Sequence, residues 1–264
     1  MGWFTLDSWL RKRWQILLSV RSLQTWWGIR EPGTVVHVGA HEAEELESYE
    51  QNSWGSQATF WVEAIPEKFE KLQKQLAGQA NHEVLQAVAW DSSGDYVDFR
   101  ITNNFQSSSV FDLKEHHVVH PDIHVTQTLR LETSTLEDLL RPFQLDQIDI
   151  LVLDIQGSEL RALQGLGVLL GTTRAIYCEF STRELYENGP LVNDLDSFLH
   201  SQGFRRVDWV LFRKSGWGDA LYLPQCQFRY THGIRRALRR FFRIRGINHL
   251  VRAARKRQTC SFRR

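Results

Sequence analysis

One stretch limits the fold more than any other: Thr34-Val35-Val36-His37-Val38-Gly39-Ala40-His41-Glu42-Ala43. Apolar and β-branched residues lead into a glycine, after which apolar residues recur at helical spacing (Ala43, Leu46, Tyr49). The pattern predicts a buried strand, a tight turn and a helix N-terminus, a geometry that presents backbone N–H groups to a ligand. Glu63 lies 24 residues after Gly39, at the end of a second apolar strand, Thr59-Phe60-Trp61-Val62. An acid so placed in a doubly wound fold can accept hydrogen bonds from ribose hydroxyls. A nucleoside-containing ligand is therefore the first expectation.

The remaining chain supports an α/β architecture. Residues 3–29 suit one or two amphipathic helices, and Glu31-Pro32-Gly33 punctuates the entry to the first strand. Helices are expected around Glu42–Gln51 and Pro66–Leu76, with Pro66 in a first turn where its missing N–H is no loss. His82–Ala89 reads as a third strand, and Tyr96–Ile101 as an antiparallel excursion. Between Thr102 and His124 periodicity disappears, which marks a functional loop. Val125–Thr133 returns to strand alternation, and Ser134-Thr135-Leu136-Glu137 is a capping box. Ile148–Ile155 is apolar apart from Asp149 and Asp154, as in a central parallel strand covered on both faces. A helix from Gly157-Ser158-Glu159, a strand over Thr173–Phe180 and a second capping box at Ser181–Glu184 follow. A helix over Leu191–Ser201 ends at Gly203, and strands Phe204–Phe212 and Asp219–Leu223 close the core. The fold expected is one three-layer α/β domain over 33–228. It has about seven mostly parallel strands and an antiparallel last one, between a helical segment (1–32) and a basic tail (229–264).

Composition narrows the class. At 264 residues, 42% hydrophobic and 24% charged, the chain has the make-up of a soluble globular protein. Arg11, Lys12, Arg13 and Arg21 interrupt the N-terminal region, which reads as neither signal peptide nor membrane span. Cys178, Cys226 and Cys260 are odd in number, widely spaced and without CxxC, so they support neither a disulfide framework nor a zinc site. A reducing cytosol fits, and the expected location is cytoplasmic. Net charge is +1, yet 13 Lys or Arg and no acid fall between Arg229 and Arg264. The first 228 residues therefore hold 19 basic against 31 acidic groups, a net −12.

Polar residues at predicted strand ends are His41, Glu42, Glu63, Asp91, Asp154, Gln156 and Glu179. Singly, Glu63 or Glu179 has a simpler account as an acid near a helix N-terminus. Asp154 is harder to dismiss, because an acid ending so apolar a strand must be paired, hydrogen-bonded or facing a cleft. Glycines discriminate among nucleotides: the turn has neither G-x-G-x-x-G nor GK[ST], and no lysine is nearby to hold phosphates. A ligand with ribose and no phosphate fits better, which favours S-adenosylmethionine over NAD.

Val36–Tyr49, Val62–Phe69, Leu85–Gly94 and Leu153-Asp154-Ile155-Gln156-Gly157-Ser158-Glu159-Leu160 resemble FkbM-type methyltransferases. Glu179, Glu187-Asn188-Gly189-Pro190 and Gly203-Phe204 extend the resemblance over roughly Val35 to Leu223. The resemblance implies a class I, S-adenosylmethionine-dependent fold, and methylation of a hydroxyl on a sugar, glycan or secondary metabolite. Gly39 and its turn, with His37, Ala40 and His41, would border the methionine part of the cofactor. Glu63 would hold the ribose hydroxyls, Ala87 and Asp91 would lie near the adenine, and Asp154 beside the reacting methyl. His37 stands where such enzymes commonly have an acid, and His41 where this family often has asparagine. His37 therefore also reads as a satisfied core histidine.

A hydroxyl nucleophile must lose a proton, so a general base is expected. Asp154, Glu179, His117 and His120 are the candidates; histidine has the best-matched ordinary pKa. The His116-His117-x-x-His120 cluster is weak evidence for a metal, and a solvated loop is its simpler reading. Ser107–Ser109 read either as hydroxyl donors to a polar acceptor or as turn residues. In the tail, Ile234, Leu238, Phe241 and Phe242 share a helical face among arginines. Such a segment suits peripheral contact with an anionic inner membrane face. Nucleic acid is the less favoured partner, and docking on the acidic body is the bland alternative. The competing functional class is a non-catalytic adaptor that keeps the fold and binds through this tail.

Overall fold

A computed structural model of the chain describes residues 32–225. The helices expected over 3–29 and the basic tail expected from 229 lie outside the described residues. In chain order the elements are β1 (Thr34–Val38), α1 (Leu46–Gln51), β2 (Ala58–Glu63), α2 (Pro66–Gln75), β3 (His82–Gln86) and β4 (Val88–Ala89). Then come β5 (Tyr96–Thr102), α3 (His116–Val119), β6 (Val125–Ser134), α4 (Leu136–Leu140), β7 (Ile150–Leu153) and α5 (Glu159–Gln164). The last are β8 (Ile176–Ser181), α6 (Val192–Ser201), β9 (Phe204–Leu211) and β10 (Trp217–Pro224).

Seven strands form one sheet in the order β3-β2-β1-β7-β8-β10-β9. All neighbours are parallel except β10, which runs antiparallel to both β8 and β9. The expected α/β sheet with an antiparallel last strand is therefore present. The chain winds outward from β1 to β3, then returns beside β1 and winds the other way from β7. This reversal puts the topological switch point at the carboxyl ends of β1 and β7. A separate three-stranded sheet, β4-β6-β5, holds the antiparallel excursion.

Alternation along the strands explains the layers. Val36, Val38, Leu151, Leu153, Ile176, Cys178 and Phe180 face one way and pack with Leu140, Leu163, Leu195 and Leu199 from α4, α5 and α6. The intervening His37 and Trp61 face the other way and stack with Tyr49 of α1. Each fully buried large apolar side chain stabilises this arrangement by about 1.5–3 kcal/mol. Asp149, the first acid in the apolar Ile148–Ile155 run, is structural: its Oδ2 accepts the Gly33 and Thr34 N–H groups at 2.8 and 3.0 Å. Its Oδ1 meets the Arg174 guanidinium at 2.9 Å.

Some local expectations are corrected. The strand expected over His82–Ala89 is two: β3 stays on the main sheet, while β4 crosses to pair with β6. The helix expected from Glu42 begins at Leu46, because His41 (φ 46°) and Ala43 (φ 53°) are left-handed and cannot continue a right-handed turn. The first N-cap is Thr135, whose Oγ1 accepts the Asp138 N–H at 3.1 Å, one residue later than expected. The second capping box, Ser181–Glu184, opens no helix. Glu184 instead takes the Lys114 ammonium at 2.7 Å and the Asn188 N–H at 2.9 Å.

Gly39 holds the switch point together. Its φ of 88° is in the left-handed region, and a Cβ there would sit 2.0 Å from the Asp154 carbonyl oxygen. The Asp154 N–H in turn donates to the Val38 carbonyl at 3.0 Å. Gly39→Ala is expected to destabilise the domain by at least about 2 kcal/mol, since it combines backbone strain with a backbone clash. Urea unfolding of the variant beside the wild type checks this.

Candidate active site

The turn after β1 does not present its amides to a ligand as the sequence suggested. The Gly39 and Ala40 N–H groups both donate to the Val62 carbonyl, at 2.9 and 3.1 Å. The His41 N–H donates to Glu63 Oε2 at 2.7 Å, and the Ala43 N–H to the Ala40 carbonyl at 2.7 Å. Those donors are spent tying β1 to β2. Glu63 is the hub: Oε2 takes His41, Oε1 takes the Ile65 N–H at 2.8 Å, and the side chain is 6% exposed. Burial raises its pKa, opposed by these amide hydrogen bonds. A carboxylate has about four acceptor positions, so both oxygens retain capacity after these two bonds.

A second group of acids gathers across the switch point. Gln156 Nε2 donates to Asp154 Oδ1 at 2.8 Å and to Glu179 Oε2 at 3.1 Å. The shared amide brings the Asp154 and Glu179 carboxyl groups together, and Asp154 is the largest charged influence on Glu179. Asp219 lies directly opposite Glu179 in the β8–β10 register. Burial, then Asp154, Glu159 and Asp219, push Glu179 well above the carboxylate range. Glu159 is 3% exposed and is pushed up to about 7, chiefly by burial, although it accepts the Ile155 and Gly157 N–H groups at 3.0 Å each. This loop is strained: Gln156 has φ 54° and Gly157 φ 98°.

The other predicted residues separate into those on the cleft and those off it. His37, Gly39, His41, Glu63, Ala87 and Asp154 border one open cleft. Ala40 is buried in the turn behind it. His37 belongs mainly to the core: it is 3% exposed, 2.9 Å from the Tyr49 hydroxyl and stacked on Trp61 at 5.1 Å. Glu179 lies behind Gln156 and does not border the cleft. Asp91 is also outside the lining; it pairs with Arg161, whose guanidinium lies over Trp90. His117 and His120 are exposed and do not line the cleft either.

The histidine that turns inward is His116, which the sequence marks only as part of the His116–His120 cluster and not as a base candidate. It is 5% exposed and packs on Tyr186 with ring centroids 5.5 Å apart. Tyr186, also missed, carries no sequence signal for its role: its hydroxyl donates to Gln156 Oε1 at 2.7 Å across 30 residues of chain. Asp219 could be found only by knowing the strand register. Among the described residues, no group of three or more His, Cys, Asp or Glu is arranged to hold a metal ion.

The cleft suits S-adenosylmethionine. Glu63 offers acceptors for the ribose hydroxyls, and Ile65, Ala87, Val88 and Ala89 supply an apolar wall for a purine. Glu44, Glu45 and Asp154 give the lining acidic character, appropriate to a cationic ligand. The sheet order, the switch-point cleft and this lining are those of the class I, S-adenosylmethionine-dependent methyltransferase fold. Residues 37–206 match the model of the methyltransferase FkbM domain, so the chain belongs to that family. It is 30% identical over 107 residues to the 2-O-methyltransferase NoeI of Sinorhizobium fredii, a match covering 38% of this chain and 44% of NoeI.

Solved structures with a similar outline include the FkbM methyltransferase of Methylobacillus flagellatus (16% identity, TM-score 0.49). That match covers 77% of this chain and 47% of the other. Another is the Aeropyrum pernix fibrillarin with bound S-adenosyl-L-methionine (11% identity, TM-score 0.46, 78% and 74% covered).

Two expectations follow from the site. Glu63→Gln should weaken binding of S-adenosylhomocysteine by about 10-fold or more, since it loses a charge-assisted acceptor; titration calorimetry reads this directly. His116 is held down from an ordinary 6.5 to about 4, first by burial and then by His120 and His117. Between those values the unfolded chain binds the extra proton, so this residue's contribution is present above pH 6.5 and lost as pH falls toward 4. His116→Phe should flatten that acid limb, measured by urea unfolding at successive pH values.

Proposed function

We propose that this enzyme methylates a hydroxyl group on a sugar, glycan or comparable polyhydroxylated metabolite, with Asp154 as the general base. One observation carries the reading. Asp154 borders the cleft, and its carboxyl is held by Gln156 beside Glu179, which burial and neighbouring acids push well above the carboxylate range. The name of NoeI, a 2-O-methyltransferase, gives further support for an oxygen acceptor.

Bound S-adenosylmethionine supplies an electrophilic methyl group on a sulfonium centre. Glu63 would hold its ribose end, the acidic lining would orient the cation, and the thioether S-adenosylhomocysteine would be the leaving group. Asp154 would take the proton that the acceptor hydroxyl loses on methylation. Much of the acceleration comes from alignment of the two reactants, and the base adds a factor of about 10²–10⁴. Glu179 lies off the cleft behind Gln156, so the base role falls to Asp154. His117 and His120, off the cleft, have no part in this scheme. The adaptor reading rests on the basic tail, which lies outside the described residues, and the cleft lends it no support. Among the described residues, no helix is long and apolar enough to cross a membrane.

A screen of saccharides and hydroxylated metabolites with labelled S-adenosylmethionine should yield a methyl ether, and the deoxy analogue of that acceptor should be inert. Asp154→Asn should lower turnover by about 10²-fold or more while S-adenosylhomocysteine affinity stays within about threefold. Transfer confined to nitrogen acceptors, or turnover undiminished in Asp154→Asn, would refute the reading.

A further inference from the structure

Gln156 has more tasks than a loop residue needs. Its two amide hydrogens go to two different carboxyl groups, Asp154 Oδ1 at 2.8 Å and Glu179 Oε2 at 3.1 Å. Its amide oxygen accepts the Tyr186 hydroxyl at 2.7 Å, and its backbone carbonyl accepts the Ser109 hydroxyl at 2.7 Å. The partners define the amide orientation: reversing it would aim a carbonyl oxygen at two acids. These bonds hold a non-glycine residue at φ 54°, a conformation that costs about 1 kcal/mol or more and persists only when its surroundings over-determine it.

A neutral amide is also the right chemical type for this position. Asp154, Glu159, Glu179 and Asp219 interact electrostatically here. A lysine or arginine between Asp154 and Glu179 would favour ionisation of both. An amide gives each carboxyl group a hydrogen bond and leaves the charge of the pair unchanged, so one member can stay protonated beside an ionised one. Tyr186 supplies the anchor. Its hydroxyl also lies 3.2 Å from the Ser107 carbonyl, its ring packs on His116, and its backbone bridges to Leu113. The irregular insert between β5 and β6 is thereby joined to the carboxyl pair through a tyrosine and a glutamine.

We infer that Gln156, anchored by the Tyr186 hydroxyl, is the positioning residue that holds the Asp154 and Glu179 carboxyl groups in register with the insert that borders the acceptor side of the cleft. This inference rests on the methyl-transfer reading of the same site. Without the glutamine, Asp154 turns away from the acceptor and loses its fixed place beside Glu179.

The test uses the full chain with Gln156→Leu and Tyr186→Phe, and Glu179→Gln as a control. Infrared difference spectra, each variant minus wild type, read the C=O stretch of a protonated carboxyl group, with the Glu159 contribution common to all. The Glu179→Gln difference should show one lost band, and the other two variants should show that same band shifted. Calorimetry with S-adenosylhomocysteine should stay within about twofold of wild type throughout. With an acceptor from the screen, kcat should fall on the order of 10²-fold in Gln156→Leu, as for an ångström-scale misplacement, with the cofactor KM little changed. Tyr186→Phe should lower it by about 10-fold, having lost one hydrogen bond to the anchor. An unmoved band and unchanged kcat in both variants would overturn the inference, as would lost cofactor affinity at unchanged kcat. Should Gln156→Leu fail to fold, the single-hydroxyl Tyr186→Phe variant decides alone. Failure of the wild type to bind S-adenosylhomocysteine would be a separate result, and would remove the cofactor assignment itself.

Discussion

The contact between Gly39 and the Asp154 carbonyl underlies the rest of the structure. A Cβ at residue 39 would meet that oxygen at 2.0 Å, so the carboxyl ends of β1 and β7 approach as closely as backbone allows. Glu63 and Asp154 are thereby brought to the rim of one cleft, although 91 positions apart in the chain. The amides of the turn are used to draw β1 and β2 together, which leaves side chains and carbonyls as the groups available to a ligand. Side-chain acids, rather than an amide cradle, then give the site its character. This suits a cationic nucleoside derivative and is poorly suited to a phosphate.

Electrostatics runs against stability around that contact. Glu63, Glu159 and Glu179 are all raised by burial, in contrast to the more exposed Glu42. Glu42 is held down to about 2, first by its hydrogen bond to Lys68 and then by Lys71. The buried acids are supported by neutral donors: backbone N–H groups for Glu63 and Glu159, the Gln156 amide for Asp154 and Glu179. Raised carboxyl pKa values mean that the folded state binds protons more tightly than the unfolded chain. Stability is therefore lost as pH rises from the ordinary carboxylate range through about 7 for Glu159. His116 acts in the opposite sense over part of the same interval. A domain that tolerates such groups does so where their chemistry is used.

The insert between β5 and β6 supplies the other half of the site. Phe105 lies under the Lys68 ammonium, 4.4 Å from ring centroid to Nζ, and Gln106 reaches Glu44 at 3.3 Å. Ser109 and the Ser107 carbonyl contact Gln156 and Tyr186. This segment is aperiodic in sequence because its residues are chosen for contacts with β7, α2 and the Tyr186 region rather than for one regular element.

Much of this was legible in the residues themselves. Alternating apolar runs and helical spacing determined the α/β class, and the single Gly39 without a phosphate motif pointed to a ribose-bearing, phosphate-free ligand. Glu63 stood out by its distance from Gly39 in a doubly wound pattern, and Asp154 because an acid ending so apolar a strand needs a partner or a cleft. Only the tertiary structure decided what each group does. Whether a turn amide faces ligand or protein depends on the acceptor across from it, here Val62 and Glu63. Asp91 was drawn away by Arg161, and Glu184 by Lys114, partners that no local pattern announces. His116 rather than His117 or His120 turned inward because Tyr186 packs against it, and Asp219 met Glu179 through strand register. Local sequence determines periodicity and backbone preference; which donors meet which acceptors across 30 or more residues is set by packing, and the chemistry of this site depends on those long-range pairs.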